Sequence, residues 1–353
     1  MKLATNPHVV ISLIVSNFNG KKFLSPCLES ILREKNNNYE IVFVDDCSSD
    51  GSFSLMTKTY SSRKNISLLK LDKHRGTGAA INAAVKISRG KYLFFLNNDT
   101  LLETGWSTKI TDLFQKYKKL GVAQAKILRM GADTYDYAGD YIGPFGFLIE
   151  RAQGAVDRGQ FDKIANVFSV KGTAMILRKE VFQKVGMFDE DYIFALEETD
   201  LTWRMWLAGY HMIFYPFITV WHAYGTKAKS KEYYVANQIN YLGCRNTITT
   251  LIKNLETKNL FTILPLNISL WLMLSLLFLI QLKFDRAFYI WKGIVWNIVF
   301  FPLTLRKRRV IQAGRKITDN ELFKKVGQKR NLSYYLRKGL TYVTGIQFDI
   351  AKR

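Results

Sequence analysis

The decapeptide at residues 91–100, KYLFFLNNDT, narrows the choice of fold more than any other stretch of the chain. Residues 92–96 are all apolar or aromatic and favour extended backbone, and the run stops abruptly at Asn97, Asn98 and Asp99. This is the pattern of a buried strand that delivers polar side chains to its carboxyl edge. In open α/β sheets ligands bind just beyond that edge, so Asp99 is a candidate ligand for a metal or a polar substrate. A strand closed by an Asx turn accounts for the same residues without any ligand.

The pattern recurs upstream. Residues 9–16 read as a buried strand, followed by the turn Asn17-Phe18-Asn19-Gly20 and a helix near residues 23–33. Residues 40–44 form a second short apolar strand, which ends in DDCSSDGS from Asp45 to Ser52. Two strands ending in polar clusters, each followed by a helical stretch, imply parallel βαβ units. Ser48 or Ser49 is explained as a helix N-cap. Paired Asp45 and Asp46 are not, and suit a ribose or a base edge. Residues 66–71 form a third strand; after it Gly76 and Gly78 permit close approach of backbone to a ligand, and small residues up to Asn82 open a helix whose amides could face a phosphate.

Downstream, the pattern predicts a helix over 105–118 and a strand over 122–128. Residues 130–164 are rich in Gly, Asp and Tyr and have no period, which reads as a long functional loop region with short strands. Order returns with an extended run at 167–177 and a helix over 179–185. In EETDLTWR, Glu197, Asp200 and Arg204 share one helix face as an ion-pair row beside the helix dipole. Glu198 points elsewhere and is left available as a general base. Residues 212–215 and 219–221 are strand-like and end at His222. A lone histidine is more often satisfied in the core or at the surface, but neutral imidazole is also the commonest metal ligand.

Cys27, Cys47 and Cys244 are widely spaced and form no CxxC pattern, so there is no disulfide framework and no zinc motif, and a reducing compartment fits. The N-terminus leads straight into the first strand and reads as no signal peptide. The net charge of +22 is concentrated: residues 306–353 hold fourteen Lys/Arg against three acids. Such a tail suits nucleic acid or an anionic membrane face, and what precedes it decides between them. Residues 259–282 carry no charge, and 24 residues exceed the roughly 20 needed to span a bilayer. A second run at 287–305 contains Trp291, Lys292, Trp296 and Asn297, and reads as a weaker span or an interfacial helix. A turn over 281–286 would make the two a hairpin, and the chain from Gln312 onward reads as an amphipathic helix on the lipid surface.

Seven short motifs, in order, resemble family 2 glycosyltransferases: IVSNFNG (14–20), VDDCSSDGS (44–52), GTGAAIN (76–82), LNNDT (96–100), GTA (172–174), EETDLTWR (197–204) and VWHAYG (220–225). The likeness covers about residues 9–226 and is greatest to the rhamnosyltransferase-like branch of cell-surface glycan synthesis. It implies an α/β GT-A fold, a mixed sheet flanked by helices, with an inverting mechanism, a nucleotide-sugar donor (UDP-, dTDP- or GDP-sugar) and a divalent metal, Mg2+ or Mn2+. On this resemblance Asp99 and His222 hold the metal, with Asn97 at the first position of the DxD motif. Asp45 and Asp46 contact the nucleotide, with Ser16, Asn17 and Phe18 beside the base. Gly76, Asn82, Asn97 and Asn98 line the donor site; Gly172, Thr173, Glu197, Asp200 and Arg204 support the acceptor side. Glu198 takes the base position, where the family usually has Asp, and the longer side chain moves the carboxylate by one methylene.

The expected organisation is a catalytic domain over 1–226, a helical connection over 227–258, a membrane hairpin over 259–305 and a basic surface tail over 306–353. The expected activity is a metal-dependent transfer of a hexosyl unit to a glycan acceptor, lipid-linked, in polysaccharide synthesis. The catalytic domain would lie on the cytoplasmic side of the cell membrane, with no nucleic-acid partner. The alternatives are a polyprenyl-phosphate glycosyltransferase, whose acceptor is already ionised, and a basic nucleic-acid-binding protein.

Overall fold

Four strand ends are polar because four parallel strands stop at one edge. In a computed structural model that describes residues 9–223 and 232–344, these are β1 (Ile11–Asn17), β2 (Tyr39–Asp45), β3 (Ile66–Lys70) and β4 (Tyr92–Asn97). Helices α1 (Lys21–Leu32), α2 (Ser52–Tyr60) and α3 (Thr77–Ile87) connect them. β1, β2 and β4 are apolar at nearly every position because both sheet faces are covered. Register places Asn17 beside Asp45 and Ser16 beside Asn97, so the polar ends are level.

The sheet then changes direction. β5 (Thr100–Leu102), α4 (Trp106–Lys116), β6 (Leu120–Arg129) and β7 (Tyr135–Tyr137) come next, followed by the hairpin β8 (Asp140–Ile142) and β9 (Leu148–Glu150). After it come β10 (Ala165–Asn166), β11 (Ala174–Arg178), α5 (Lys179–Lys184), α6 (Glu197–Leu207) and β12 (His211–His222). β11 runs antiparallel between β4 and β6, and β12 parallel to β6, which gives the order β10-β12-β6-β11-β4-β1-β2-β3. The two pieces expected at 212–215 and 219–221 are one strand. Its register shifts between Tyr215 and Thr219, around Pro216, which has no N–H for the ladder.

The chain divides into two units: Met1–Asp140 with Glu150–Thr226, which holds the ten-stranded sheet, and Tyr141–Ile149 with Lys227–Arg353. In the second are α7 (Glu232–Asn254), α8 (Thr257–Ile280), α9 (Phe284–Val299), α10 (Phe301–Ala313), α11 (Asp319–Val326) and α12 (Leu332–Thr344). Among the described residues one helix, α8, is long and apolar enough to cross a membrane. The second apolar run is not straight: α9 and α10 meet at 67°, where Pro302 in the first turn of α10 interrupts the helical ladder.

The basic tail differs most from expectation. Arg308 Nη1 donates to the carbonyls of Ile252 and Leu255 (2.6 and 2.5 Å), and Gln312 Nε2 to that of Lys253 (3.0 Å). Arg315 reaches Asn254 O, so these side chains cap the carboxyl end of α7. Buried Asp319 accepts from Glu256 N, Asn259 and Arg315, and a Thr318/Glu321 capping box starts α11. From Gln312 onward the described chain is therefore several packed helices, with some of its cations engaged inside the unit.

Candidate active site

β5 brings the acid after β4 to the histidine that ends β12. The two strands pair antiparallel, with His222 opposite Thr100, and Ala223 N donates to Asp99 O at 3.0 Å. Asp99 Oδ1 then lies 3.3 Å from His222 Nε2, buried and accepting no hydrogen bond. On the other side of the ring, His222 Nδ1 is 2.8 Å from Asp136 Oδ2. A carboxylate can only accept, so Nδ1 carries the hydrogen and Nε2 faces Asp99. Burial pulls the His222 pKa down, but the Asp136 hydrogen bond and the nearby Asp99 carboxylate outweigh it and push it up to about 9. Burial raises the Asp136 carboxyl, but the His222 hydrogen bond and the Lys171 charge prevail and hold it below its ordinary value.

Among the described residues no group of three or more His, Cys, Asp or Glu side chains is placed to hold a metal ion. Asp99 and His222 supply two ligands, and the oxygens of a diphosphate can complete the shell of a hard divalent cation. Their 3.3 Å separation is close to the ~3 Å between neighbouring ligands of an octahedral ion with bonds of about 2.1 Å. The Asp99 oxygen and the ring nitrogen facing it thus fit a cation that takes the place of the Nε2 proton. Tyr224 and Gly225 of the VWHAYG stretch lie outside the described residues.

Asp136 and Lys171 were not singled out in the sequence. Asp136 is on β7, inside the stretch without a period, and its partner His222 is far along the chain. The Tyr135-Asp136-Tyr137 alternation is too short a signal to mark a strand. Lys171 Nζ sits 4.4 Å from the centroid of the Tyr137 ring, and its charge acts on both Asp136 and Glu198.

Glu198 lies in the first turn of α6, after Ala195 and Leu196, whose φ angles of +67° and +69° are unusual for non-glycine residues. Gly172 N donates to Glu198 Oε1 at 3.0 Å. A side chain at position 172 would start 3.2 Å from that oxygen, which crowds the carboxylate. Neighbouring Thr173 accepts from Asn97 Nδ2 through its hydroxyl (3.2 Å), so the GTA segment touches both the β4 end and the candidate base. Burial raises the Glu198 pKa against the pull of the Gly172 amide and Lys171.

Glu197 does not join the expected ion-pair row. Arg204 Nε pairs with Asp200 Oδ2 at 2.9 Å, while its other nitrogens turn to the carbonyls of Val185 and Met187. Seven residues along a helix is about 10 Å, too far for Arg204 to serve both. Glu197 is left buried with Oε2 unbonded, and burial followed by repulsion from Glu198 holds its pKa well above the ordinary value.

At the other end of the edge, protein donors occupy the acids. Asp45 accepts from Asn17 Nδ2 (2.6 Å), Ser48 Oγ (2.6 Å) and Ser48 N (2.9 Å). Asp46 accepts from Arg75 N and Gly76 N, each at 2.8 Å, and contacts His74 Nδ1 at 2.8 Å. Asn98 donates to Asn17. Asn82 clamps Phe188 through both amide ends, and Gly76 is where the Ile193 carbonyl passes only 2.4 Å from where a Cβ would stand. Both therefore fasten the 188–193 loop over α3. The Phe18 ring, 47% exposed, stacks on His74 at 4.0 Å and presents a flat apolar surface beside these acids.

A four-stranded parallel half, an antiparallel continuation, and acids gathered at the carboxyl edge define a GT-A fold. Residues 12–186 match the family model "Glycosyl transferase family 2". It is 26% identical over 208 residues to an uncharacterized glycosyltransferase of Nostoc sp., covering 56% of this chain and 57% of that protein. It is 26% identical over 220 residues to a poly-beta-1,6-N-acetyl-D-glucosamine synthase of Staphylococcus epidermidis, covering 60% and 49%. The fold also matches GalNAc-T7, solved with UDP, GalNAc and Mn2+, with a TM-score of 0.52, 15% identity, and coverage of 67% of this chain and 51% of that one. The chain spans only 38% to 57% of the length of the first curated relatives it matches.

Proposed function

We propose that this chain is an inverting glycosyltransferase that moves a sugar from a nucleotide-diphosphate donor to a hydroxyl of a glycan acceptor carried on a membrane lipid. The observation that carries the reading is the Glu198 carboxylate, anchored by Gly172 N on a segment that also bonds Asn97. A carboxylate with a raised pKa suits proton abstraction near neutral pH. The acceptor oxygen attacks the anomeric carbon from the face opposite the diphosphate, its proton passes to Glu198, and the bond to the diphosphate breaks with inversion. Phe18 offers a face for the base, and Asp45 and Asp46 hold the loops around it. When bound, a divalent cation on Asp99 and His222 would act as a Lewis acid toward the leaving diphosphate. GalNAc-T7, of the same fold, was solved with UDP and Mn2+, which supports that donor and metal class.

Membrane attachment is supported by α8 and by exposed apolar side chains on α8 and α9, among them Leu272, Leu276, Ile280, Phe288 and Ile298. A donor made in the cytosol places the catalytic unit on the cytoplasmic side. Purified protein, offered UDP-, dTDP- and GDP-sugars with a lipid-linked acceptor, should transfer sugar with inversion and be stimulated by Mn2+. Failure with every donor, or an unchanged rate in Glu198→Gln, would sink the reading. Activity of that variant on free polyprenyl phosphate would instead favour transfer to an already ionised acceptor.

A further inference from the structure

β6 contains the run VAQAKIL, and the one amide in it, Gln124, is fully buried. In the sheet it lies opposite Met175 of β11 and Phe214 of β12. An amide there is costly unless its oxygen and nitrogen are both paired. Gln124 Oε1 accepts from Lys171 N at 2.7 Å, and Nε2 donates to the carbonyls of Ala174 and Ala125 at 3.2 and 3.1 Å. Reversing the amide would set donor against donor and acceptor against acceptor, so these partners fix its orientation. On the β6 side the backbone ladder ends at the Gln124–Met175 pair, and the side chain carries the pairing on into the turn before β11. Ala174 N closes that turn on Lys171 O at 3.3 Å. Gln124 thus grips a four-residue turn at both ends. Between the grips stand Gly172, whose amide holds Glu198, and Thr173, whose hydroxyl and carbonyl accept from the side chain and backbone of Asn97.

A glycine is the residue least able to hold its own backbone in place, and a reacting group displaced by 1 Å can cost about 100-fold in rate. We infer that Gln124 is a positioning residue for sugar transfer: by pinning the turn at Lys171 and Ala174 it holds the Gly172 amide, and through it the Glu198 carboxylate, in register with the Asn97 end of β4. The inference rests on reading Glu198 as the base. The surroundings of that carboxylate also set its titration. Burial raises its pKa, and the Gly172 amide and the Lys171 charge oppose the rise. Glu197 beside it on α6, and Tyr137 on β7 with its hydroxyl on Asp140, are the other titratable groups that feel its charge. Releasing the Gly172 amide removes one of the two opposing pulls, so Glu198 then takes up its proton at higher pH.

The test uses the full chain, offered UDP-, dTDP- and GDP-sugars with a lipid-linked acceptor. Gln124→Met keeps the length of the side chain and removes its amide. It should lower kcat about 100-fold, leave the donor KM unchanged, and move the acid limb of the pH–rate profile to higher pH. Added to Glu198→Gln it should cost little more than Glu198→Gln alone, because the clamp acts through that carboxylate. Gln124→Glu serves as the conservative variant and decides the matter if Gln124→Met does not fold. Its buried acid, while neutral, can accept from Lys171 N and donate to Ala174 O. That variant should therefore keep its activity at low pH and lose it, relative to wild type, as the acid ionises and repels the Ala174 carbonyl. A folded Gln124→Met with wild-type kcat and acid limb, losses that multiply in the double variant, or a Gln124→Glu profile that follows wild type would each overturn the inference while leaving the transferase reading intact. Wild-type protein that transfers no sugar from any donor overturns that reading, and the inference falls with it.

Discussion

At the β1–β2 end of the sheet, Asp45 and Asp46 each meet three protein donors, whereas at the β4–β12 end and on α6 Asp99, Asp136 and Glu197 each keep a buried oxygen without a hydrogen bond. Satisfied carboxylates fix loop shape and respond little to a ligand. Unsatisfied buried ones hold electrostatic potential that a cation or proton can relieve. One edge thus has a rigid end that fixes its loops and a frustrated end with unpaired buried oxygens.

Glu198→Gln tests the frustrated end most severely. Transfer should fall by about 10²–10⁴-fold with donor binding retained, because only the proton acceptor is lost. In the unaltered enzyme the rate should fall as pH drops through the Glu198 pKa, with the acid limb above the ordinary glutamate range. A profile that stays flat through that region would show that another group takes the proton. Asp136→Asn should weaken Mn2+ binding about 10–100-fold in an electron paramagnetic resonance titration with UDP present, since it loosens a ligand's partner rather than a ligand. Unaltered affinity would make Asp136 a packing residue only.

Asp45→Ala should act in the opposite manner. It strips acceptors from Asn17 and Ser48 and should cost about 3 kcal/mol of stability in urea unfolding. If it instead abolished donor binding in a fully stable protein, the rigid end would be a ligand site first. Glu197→Gln should have the smallest effect, in the stabilising direction. The folded-state pKa of Glu197 lies above its unfolded value, so between the two the folded chain binds more protons and stability falls as pH rises. Glutamine lacks that loss. The variant's melting advantage should therefore be least near pH 4 and grow with pH, and an advantage that shrinks would reverse the assignment.

What could be read beforehand follows from physical range. The parallel strands announced themselves because both their faces are buried, which writes an unbroken apolar run into the sequence. β5 and β7 could not, since three residues hold too little alternation, yet these two position Asp99 against His222 and Asp136 against the same ring. Glu198 was read as the acid outside the helix's ion-pair row; that spacing does not show the Gly172 amide that holds its carboxylate. Glu197 was misplaced in that row because helical spacing shows which residues share a face, but not that Arg204 reaches for the carbonyls of Val185 and Met187. The tail was read from its charge and from the apolar run before it, and neither reveals that Arg308 and Arg315 cap α7.

The interior position of β12 has a consequence for synthesis. A ribosome delivers the amino end first, so β1 to β4 can assemble with Asp45 and Asp46 already tied to their neighbours. Asp99 is made then too, but His222 follows more than a hundred residues later. Until it does, β6 presents the open flank that β12 will fill, and β5 lacks its strand partner. An unfinished chain is thus a folded half-sheet with an adhesive border, and the Asp99–His222 pair is among the last things the domain acquires.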